Sequence, residues 1–319
     1  LRNGDVDWGD YDNDGDLDLL LTGEDSFENR ETSLYESNDG DFDLLRFTAV
    51  SKSAADWGDY DNDGDLDLVF MGQSEDQING RIQSYTRIFV NDGRSGFALS
   101  GQELTGLNNG EVLWNDYDND GDLDLAAAGF STAGTREFSI YNNAKGQLAD
   151  AQLELPGLES ADLAWGDYDG DGDADLAAAG IADNGLRTDL WVNNGNGDFV
   201  VLTDGAFAGI QGGDLVWGDY DNDRDLDLIV AGNDGGQAIL HIYENALNRF
   251  GAETTFAQDS ITLLQGLEFS AVALADIDSD GDLDLISAGS TGGNNPIPLS
   301  IINDNLTGQF NRNRVPDTP

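Results

Sequence analysis

Six copies of one nine-residue pattern, D-x-D-x-D-x-D-x-D in its fullest form, recur along this 319-residue chain, their first aspartates 49, 57, 51, 52 and 57 residues apart. The residues from the first aspartate of the last copy to the end, added to those before the first copy, make one more interval of similar length, so six units fill the chain with no seventh left over. A period near 50 residues points to a propeller or a solenoid, in which each unit buries its faces only against its neighbours.

Each unit reads as four short strands. The first alternates apolar residues and ends in tryptophan, as in Ala161-Asp162-Leu163-Ala164-Trp165. The second follows the acidic loop as a continuous apolar run, such as Leu68-Val69-Phe70-Met71 or Leu228-Ile229-Val230-Ala231, which suits a strand buried on both faces. It ends at a glycine: Gly23, Gly72, Gly129, Gly180, Gly232 or Gly289. The third carries apolar residues running into asparagine, as at 88–91 and 190–193, and the fourth is expected to open at Phe42, Phe97, Leu148, Phe199, Phe250 and Phe310. No segment sustains a helical period, and no linker splits the chain. The expected architecture is all-β: one β-propeller domain over residues 1–319, built from six four-stranded blades.

The acidic loops join the first strand to the second. Their acids are Asp10, Asp12, Asp14, Asp16 and Asp18; Asp59, Asp61, Asp63, Asp65 and Asp67; Asp116, Asp118, Asp120, Asp122 and Asp124; Asp167, Asp169, Asp171, Asp173 and Asp175; Asp219, Asp221, Asp223, Asp225 and Asp227; and Asp276, Asp278, Asp280, Asp282 and Asp284. So many carboxylates in so short a loop repel one another unless a cation neutralises them. Hard oxygen ligands at positions 1, 3 and 5, a backbone carbonyl at position 7 and a glycine at position 6 match the first half of a calcium loop. Position 12, where a helical calcium hand places its closing glutamate, lies inside the apolar strand here (Leu21, Phe70, Ala127), so position 9 must supply the closing carboxylate. Magnesium, which keeps several waters in an octahedral shell, fits less well. About six Ca²⁺ sites are expected, one per repeat.

These loops, the Trp-Gly before them and the apolar run with glycine after them make the whole chain resemble the FG-GAP/VCBS repeats, also found in integrin alpha-subunit heads. The resemblance implies a calcium-binding propeller, extracellular or on the cell surface, acting in adhesion or recognition. It implies ligands Asp10, Asp12, Asp14, the carbonyl of Asp16, and Asp18 in the first loop. Integrin-like heads have seven blades, so a seventh would lie outside this chain. Departures from the pattern are local. Arg224 stands at the position-6 glycine of the fifth loop, which is therefore expected to be the weakest site. Asn115 replaces the glycine before the third loop, and Leu274-Ala275 replace Trp-Gly before the sixth.

The formal net charge of -49 sets the chain apart from binders of nucleic acid or of anionic membranes, which need basic patches. It also suits surroundings rich in salt or calcium. No apolar run approaches a membrane span. A start at Leu1 with no signal peptide in view is expected of a mature form or a fragment. The single histidine, His241, lies in a strand-like run and reads as structural, and Trp8, Trp57, Trp114, Trp165 and Trp217 read as wedges between blades. No phosphate loop or zinc-protease motif is present. The chain is therefore expected to be a recognition or adhesion module for a protein or glycan, not an enzyme. The alternatives left open are a structural module of a long surface protein, fibre or larger assembly, and a propeller of a polysaccharide-active enzyme such as a glycan lyase or hydrolase. The partner is expected at the face opposite the metal loops, on connections of variable length at 24–33, 73–86, 130–138, 181–188, 233–237 and 290–298. These hold Arg30, Arg81, Arg136 and Arg187, with Phe27, Tyr85 and Phe130 as stacking surface.

Overall fold

The computed structural model describes residues 3–38, 41–75, 80–93, 96–195, 197–202, 207–246, 255–258, 264, 266–290, 298–305 and 310–312. Among them the secondary structure is all β, as expected. The first repeat comprises β1 (Val6–Gly9), β2 (Asp18–Glu24), β3 (Arg30–Asn38) and the start of β4 (Asp41–Gly58). The second uses the end of β4 with β5 (Asp67–Glu75), β6 (Ile82–Asn91) and β7 (Phe97–Leu99). β8 (Leu107–Asn115), β9 (Asp124–Ser131), β10 (Arg136–Asn143) and β11 (Leu148–Asp150) make the third. The fourth is β12 (Glu159–Gly166), β13 (Asp175–Ala182), β14 (Gly185–Asn193) and β15 (Phe199–Leu202). The fifth is β16 (Gln211–Gly218), β17 (Asp227–Asn233), β18 (Ala238–Ala246) and β19 (Thr255–Gln258), and the sixth β20 (Glu268–Ala275), β21 (Asp284–Ser290), β22 (Pro298–Asn305) and β23 (Phe310–Arg312).

β1–β7 form one seven-stranded antiparallel sheet in which the long β4 serves both the first and the second meander, and each later set is an antiparallel four-stranded meander, the blade unit of a β-propeller. By internal contacts the chain divides into two compact units, Leu1–Ala161 and Asp162–Pro319. The second strand is the core of the second to fifth meanders, whereas β2 and β21 are buried only in part. Leu68, Val69, Phe70 and Met71 are fully buried, as are Leu228, Ile229, Val230 and Ala231, which explains why these runs do not alternate. The glycine after the run meets a bulge in the first strand. In the second repeat the register slips between Ser51 and Ala54, and a Cβ on Gly72 (φ 154°) would stand 2.8 Å from the Val50 side chain.

Within each unit Trp57, Trp114 and Trp217 wedge between meanders as expected. A Cβ at Gly9 would lie 3.1 Å from the Trp57 ring, and one at Gly58 or Gly166 would lie 2.8 Å from Trp114 or Trp217. Tyr11 stacks on Trp57 and Tyr60 on Trp114. Trp8 differs, being 53% exposed. First-strand aspartates add polar ties: Asp5 accepts from the Ala55 amide at 3.0 Å, Asp56 from Trp114 at 2.7 Å, Asp162 from Leu215 and Asp214 from Val272. Burial pushes Asp5 up to about 6 and Asp56 to about 7.

One expected strand start moves. Phe250 lies outside the described residues, and the fourth strand of the fifth repeat is β19, where Phe256 pairs with Asn245 just as Phe97 pairs with Asn91. A longer connection between β18 and β19 displaces the strand. The tail at 314–319 and the connection residues 76–79 and 291–297 also fall outside the described residues.

Candidate metal centre

The first-to-second-strand loops share one hydrogen-bonded frame. The amide at position 6 donates to the position-1 carboxylate in all six, from Gly15 to Asp10 at 3.1 Å through Gly281 to Asp276 at 3.2 Å. The amide at position 7 donates to the position-5 carboxylate, as from Asp65 to Asp63 at 3.0 Å. The position-9 carboxylate is held on both oxygens. Asp67 accepts from the Asn91 amide at 2.8 Å and the Tyr60 amide at 3.0 Å, and Asp18, Asp124, Asp175, Asp227 and Asp284 repeat this pair.

The frame gathers positions 1, 3 and 9. Carboxylate oxygens of Asp10, Asp12 and Asp18 lie within 4.8 Å of one another, as do those of Asp59, Asp61 and Asp67; Asp116, Asp118 and Asp124; Asp167, Asp169 and Asp175; and Asp219, Asp221 and Asp227. Asp276, Asp278 and Asp284 share the frame of the sixth loop. The other two loop acids do different work. The position-5 acids (Asp14, Asp63, Asp120, Asp171, Asp223, Asp280) accept the position-7 amide. The position-7 side chain of the third loop is held from outside its loop: Asp122 accepts from the Lys145 amide at 2.9 Å and from Asn62 Nδ2 at 2.6 Å. That leaves the position-7 carbonyl as the group offered by Asp16, Asp65, Asp122, Asp173, Asp225 and Asp282.

Electrostatics show what the centre lacks. Burial pushes Asp67, Asp124 and Asp175 up to about 7 and Asp227 to about 8, and it raises Asp18, Asp12, Asp61, Asp169 and Asp221. Neighbouring aspartates add to the rise. Asp61 Oδ1 and Asp219 Oδ1 are buried with no hydrogen-bond partner. Oxygens that are buried, clustered and without donors fit a hard cation, which restores the lost solvation without a donor.

The fifth loop carries its departure visibly. Position 6 takes φ between 93° and 97° at Gly15, Gly64, Gly121, Gly172 and Gly281, and Arg224 is held at 81°. An L residue is strained there. In loops one to four and six the position-5 amide donates to position-1 Oδ1, but Asp219 Oδ1 receives no such bond.

An asparagine ending the third strand was missed as a site residue by sequence reasoning. Asn91, Asn143, Asn245 and Asn305 each bridge two loops. Asn143 Nδ2 donates to Tyr60 O at 2.7 Å and Leu123 O at 2.8 Å; Asn91 reaches Tyr11 O and Leu66 O; Asn245 reaches Tyr168 O and Leu226 O; Asn305 reaches Tyr220 O and Leu283 O. Asn193 Nδ2 donates to Ala174 O in the fourth repeat. In the first repeat the corresponding amide is that of Ser37. Recurrence of asparagine at one place in the repeat was the available signal.

Three of the four arginines expected at the partner face are tied within the sheets. Arg30, Arg136 and Arg187 lie in strands. Arg30 Nε donates to Ser51 Oγ at 3.2 Å, Arg136 pairs with Glu159 at 3.2 Å and Arg187 with Asp189 at 2.6 Å. The second strand of each meander is longer than its apolar run, which draws the ends of these connections into the sheet. Tyr85 is covered by Arg87 at 4.4 Å, and His241 sits half-buried in β18 beside Tyr243. Phe27 is 83% exposed at the tip of the connection at 25–29, where Asp25 Oδ1 accepts from the amides of Phe27 and Asn29.

Residues 116–178, 167–230 and 219–287, together more than half of the chain, match the model of the FG-GAP-like repeat. No curated protein matches the sequence. Among solved structures, a mutant of the Aleuria aurantia lectin in complex with alpha-methyl-L-fucoside is similar, at 13% identity over 97% of each chain and a TM-score of 0.48. No helix among the described residues is long and apolar enough to cross a membrane.

Proposed function

The chain belongs to the FG-GAP-like repeat family, and from that premise we propose that it is a calcium-loaded recognition module of the cell exterior, with metal loops at one end of its meanders and partner contacts at the other. The observation that carries the calcium reading is the repeated trio of carboxylates at positions 1, 3 and 9, with buried oxygens at Asp61 and Asp219 that no donor satisfies. Positions 1, 3 and 9 supply side-chain oxygens and position 7 a carbonyl. The ion, when bound, supplies two positive charges that neutralise the loop.

The partner end follows from the strand order. The 3–4 turns lie beside the metal loops, since the Lys145 amide bonds Asp122. The 2–3 connections at 25–29, 76–81, 132–135, 183–184, 234–237 and 291–297 leave from the other end of each meander and differ in length. With Arg30, Arg136 and Arg187 engaged, Phe27, 83% exposed, is well placed to meet a protein or glycan partner there. A glycan and protein screen in calcium, repeated with Phe27→Ala, tests this reading. Loss of the partner with the calcium-dependent melt intact supports it, and turnover of a glycan in the same screen would replace it with an enzymatic one.

A further inference from the structure

Adjacent metal loops touch through a residue outside the ligand set. Asn13, at position 4 of the first loop, donates from Nδ2 to Asp65 Oδ1 at 2.9 Å and lies 3.4 Å from Gly64 O in the second loop. Asn62, at position 4 of the second, donates to Asp122 Oδ1 at 2.6 Å and to Gly121 O at 3.0 Å in the third. Asn222 in the fifth loop donates to Asp282 Oδ1 at 2.6 Å in the sixth. The acceptors are positions 6 and 7 of the next loop, the peptide that presents the position-7 carbonyl to the ion.

The backbone explains why asparagine does this. Position 4 is left-handed, with φ of 59° at Asn13, 62° at Asn62 and 63° at Asn222, a conformation asparagine tolerates better than most residues. It directly follows the position-3 acid, so closing a loop around an ion also fixes the direction in which its amide points. The fourth loop has Gly170 at this position (φ 72°), with the same backbone and no side chain to reach the fifth loop.

We propose that Asn13, Asn62 and Asn222 at position 4 are positioning residues that couple neighbouring metal loops, so that loops one, two and three fill with calcium together and loops five and six do likewise, while Gly170 gives the fourth loop no such side-chain link to the fifth. Each asparagine acts on the next site through that site's own backbone. A loaded loop holds its asparagine still, the asparagine holds positions 6 and 7 of the next loop, and less ordering is left for the second ion to impose. Coupling is reciprocal, so a change at Asn62 alters the second loop as well as the third. The inference rests on the calcium reading above.

The test is hydrogen exchange of the full chain, read loop by loop by mass spectrometry across a calcium titration, for the native protein, Asn62→Gly and Asn62→Asp. Asn62→Asp keeps the side-chain size but removes the donor, which separates loss of the hydrogen bond from loosening of the backbone. In the native protein loops one to three gain protection at one shared calcium midpoint. In both variants the midpoint of the third loop rises about fivefold or more, the second loop shifts in the same direction, and loops five and six stay where they were. Separate midpoints for loops one to three in the native protein, or an unmoved third loop in both variants, would overturn the coupling and leave calcium binding standing. No calcium-dependent protection in any loop would overturn both.

Discussion

Calcium binding to this protein should release protons, in a number that depends steeply on pH. Burial lifts Asp67, Asp124 and Asp175 from 3.8 to about 7 and Asp227 to about 8. A group with a pKa of about 7 is about nine-tenths protonated at pH 6 and about one-tenth at pH 8. A calcium ion binds the ionised form, so these four sites together should expel about four protons per chain at pH 6 and about one at pH 8. Affinity should fall about tenfold per pH unit below 7 at each site. Stability in chelator follows the same groups. A carboxylate raised on folding favours the folded state only while protonated, so its contribution is full below about pH 4 and is lost as pH rises through 7 or 8. Calcium should thus stabilise most where the chelated protein is weakest. Calorimetric titration with calcium at pH 6, in two buffers of different ionisation enthalpy, counts the protons directly. A heat that does not depend on the buffer would mean that the buried carboxylates are already ionised, and the electrostatic reading of the centre would be wrong.

Other outcomes follow from the same geometry. At a free calcium concentration about tenfold above Kd each site adds about 1.4 kcal/mol, so six sites add on the order of 8, comparable to the whole stability of a domain; the melting midpoint should drop sharply in chelator. Asp67→Asn should lower the calcium stoichiometry by one in calorimetry, whereas Asp65→Asn, which keeps its backbone carbonyl, should leave it unchanged. Arg224→Gly removes strain of about 1–2 kcal/mol and adds back about 0.4–1 kcal/mol of unfolded-state entropy, so urea unfolding should show a small net gain and the fifth site should tighten; a looser fifth site would refute the argument from φ. Asn143→Ala strips the donor from the Tyr60 and Leu123 carbonyls and should cost about 1–3 kcal/mol, read from the urea midpoint.

The repeats, the four strands, the apolar second strand and the clustered acidic loops were legible in the sequence because each has a local signature: a period, an apolar run, a row of aspartates. The division of labour among those aspartates was not. The pattern does not show that Asp63 accepts the Asp65 amide, or that the Asp65 side chain accepts from Asn13 of the preceding loop. Which side chain turns inward depends on left-handed residues such as Asn62, whose φ no composition reveals. The arginines misled for a related reason. Arg136 and Arg187 look like loop cations, but their partners Glu159 and Asp189 are set by the paths of the strands. The shift from Phe250 to Phe256 came from a longer turn, which the spacing of phenylalanines alone does not distinguish from a strand.

The two ends of each meander therefore differ in how much change they tolerate. At the metal end every loop amide from position 5 to position 7 is committed, the position-9 carboxylate is held twice, and an asparagine from the third strand ties most loops to a neighbour. A substitution there disturbs two repeats. At the other end the turns hold from two to seven residues between strands whose pairing continues regardless, as between Ile181 and Leu186 across a two-residue turn. Length can vary there without moving the register, and a loop such as 25–29 can be rigid by its own means, with Asp25 fixing the amides around Phe27. Rigidity concentrated at one end and freedom at the other suit a scaffold that presents different side chains on a constant frame. A cationic partner that bound the carboxylates at the metal end instead would compete with the ions for them, so its affinity would fall as calcium rose. Binding at the far end predicts the opposite dependence, and measuring partner affinity across a calcium titration separates the two.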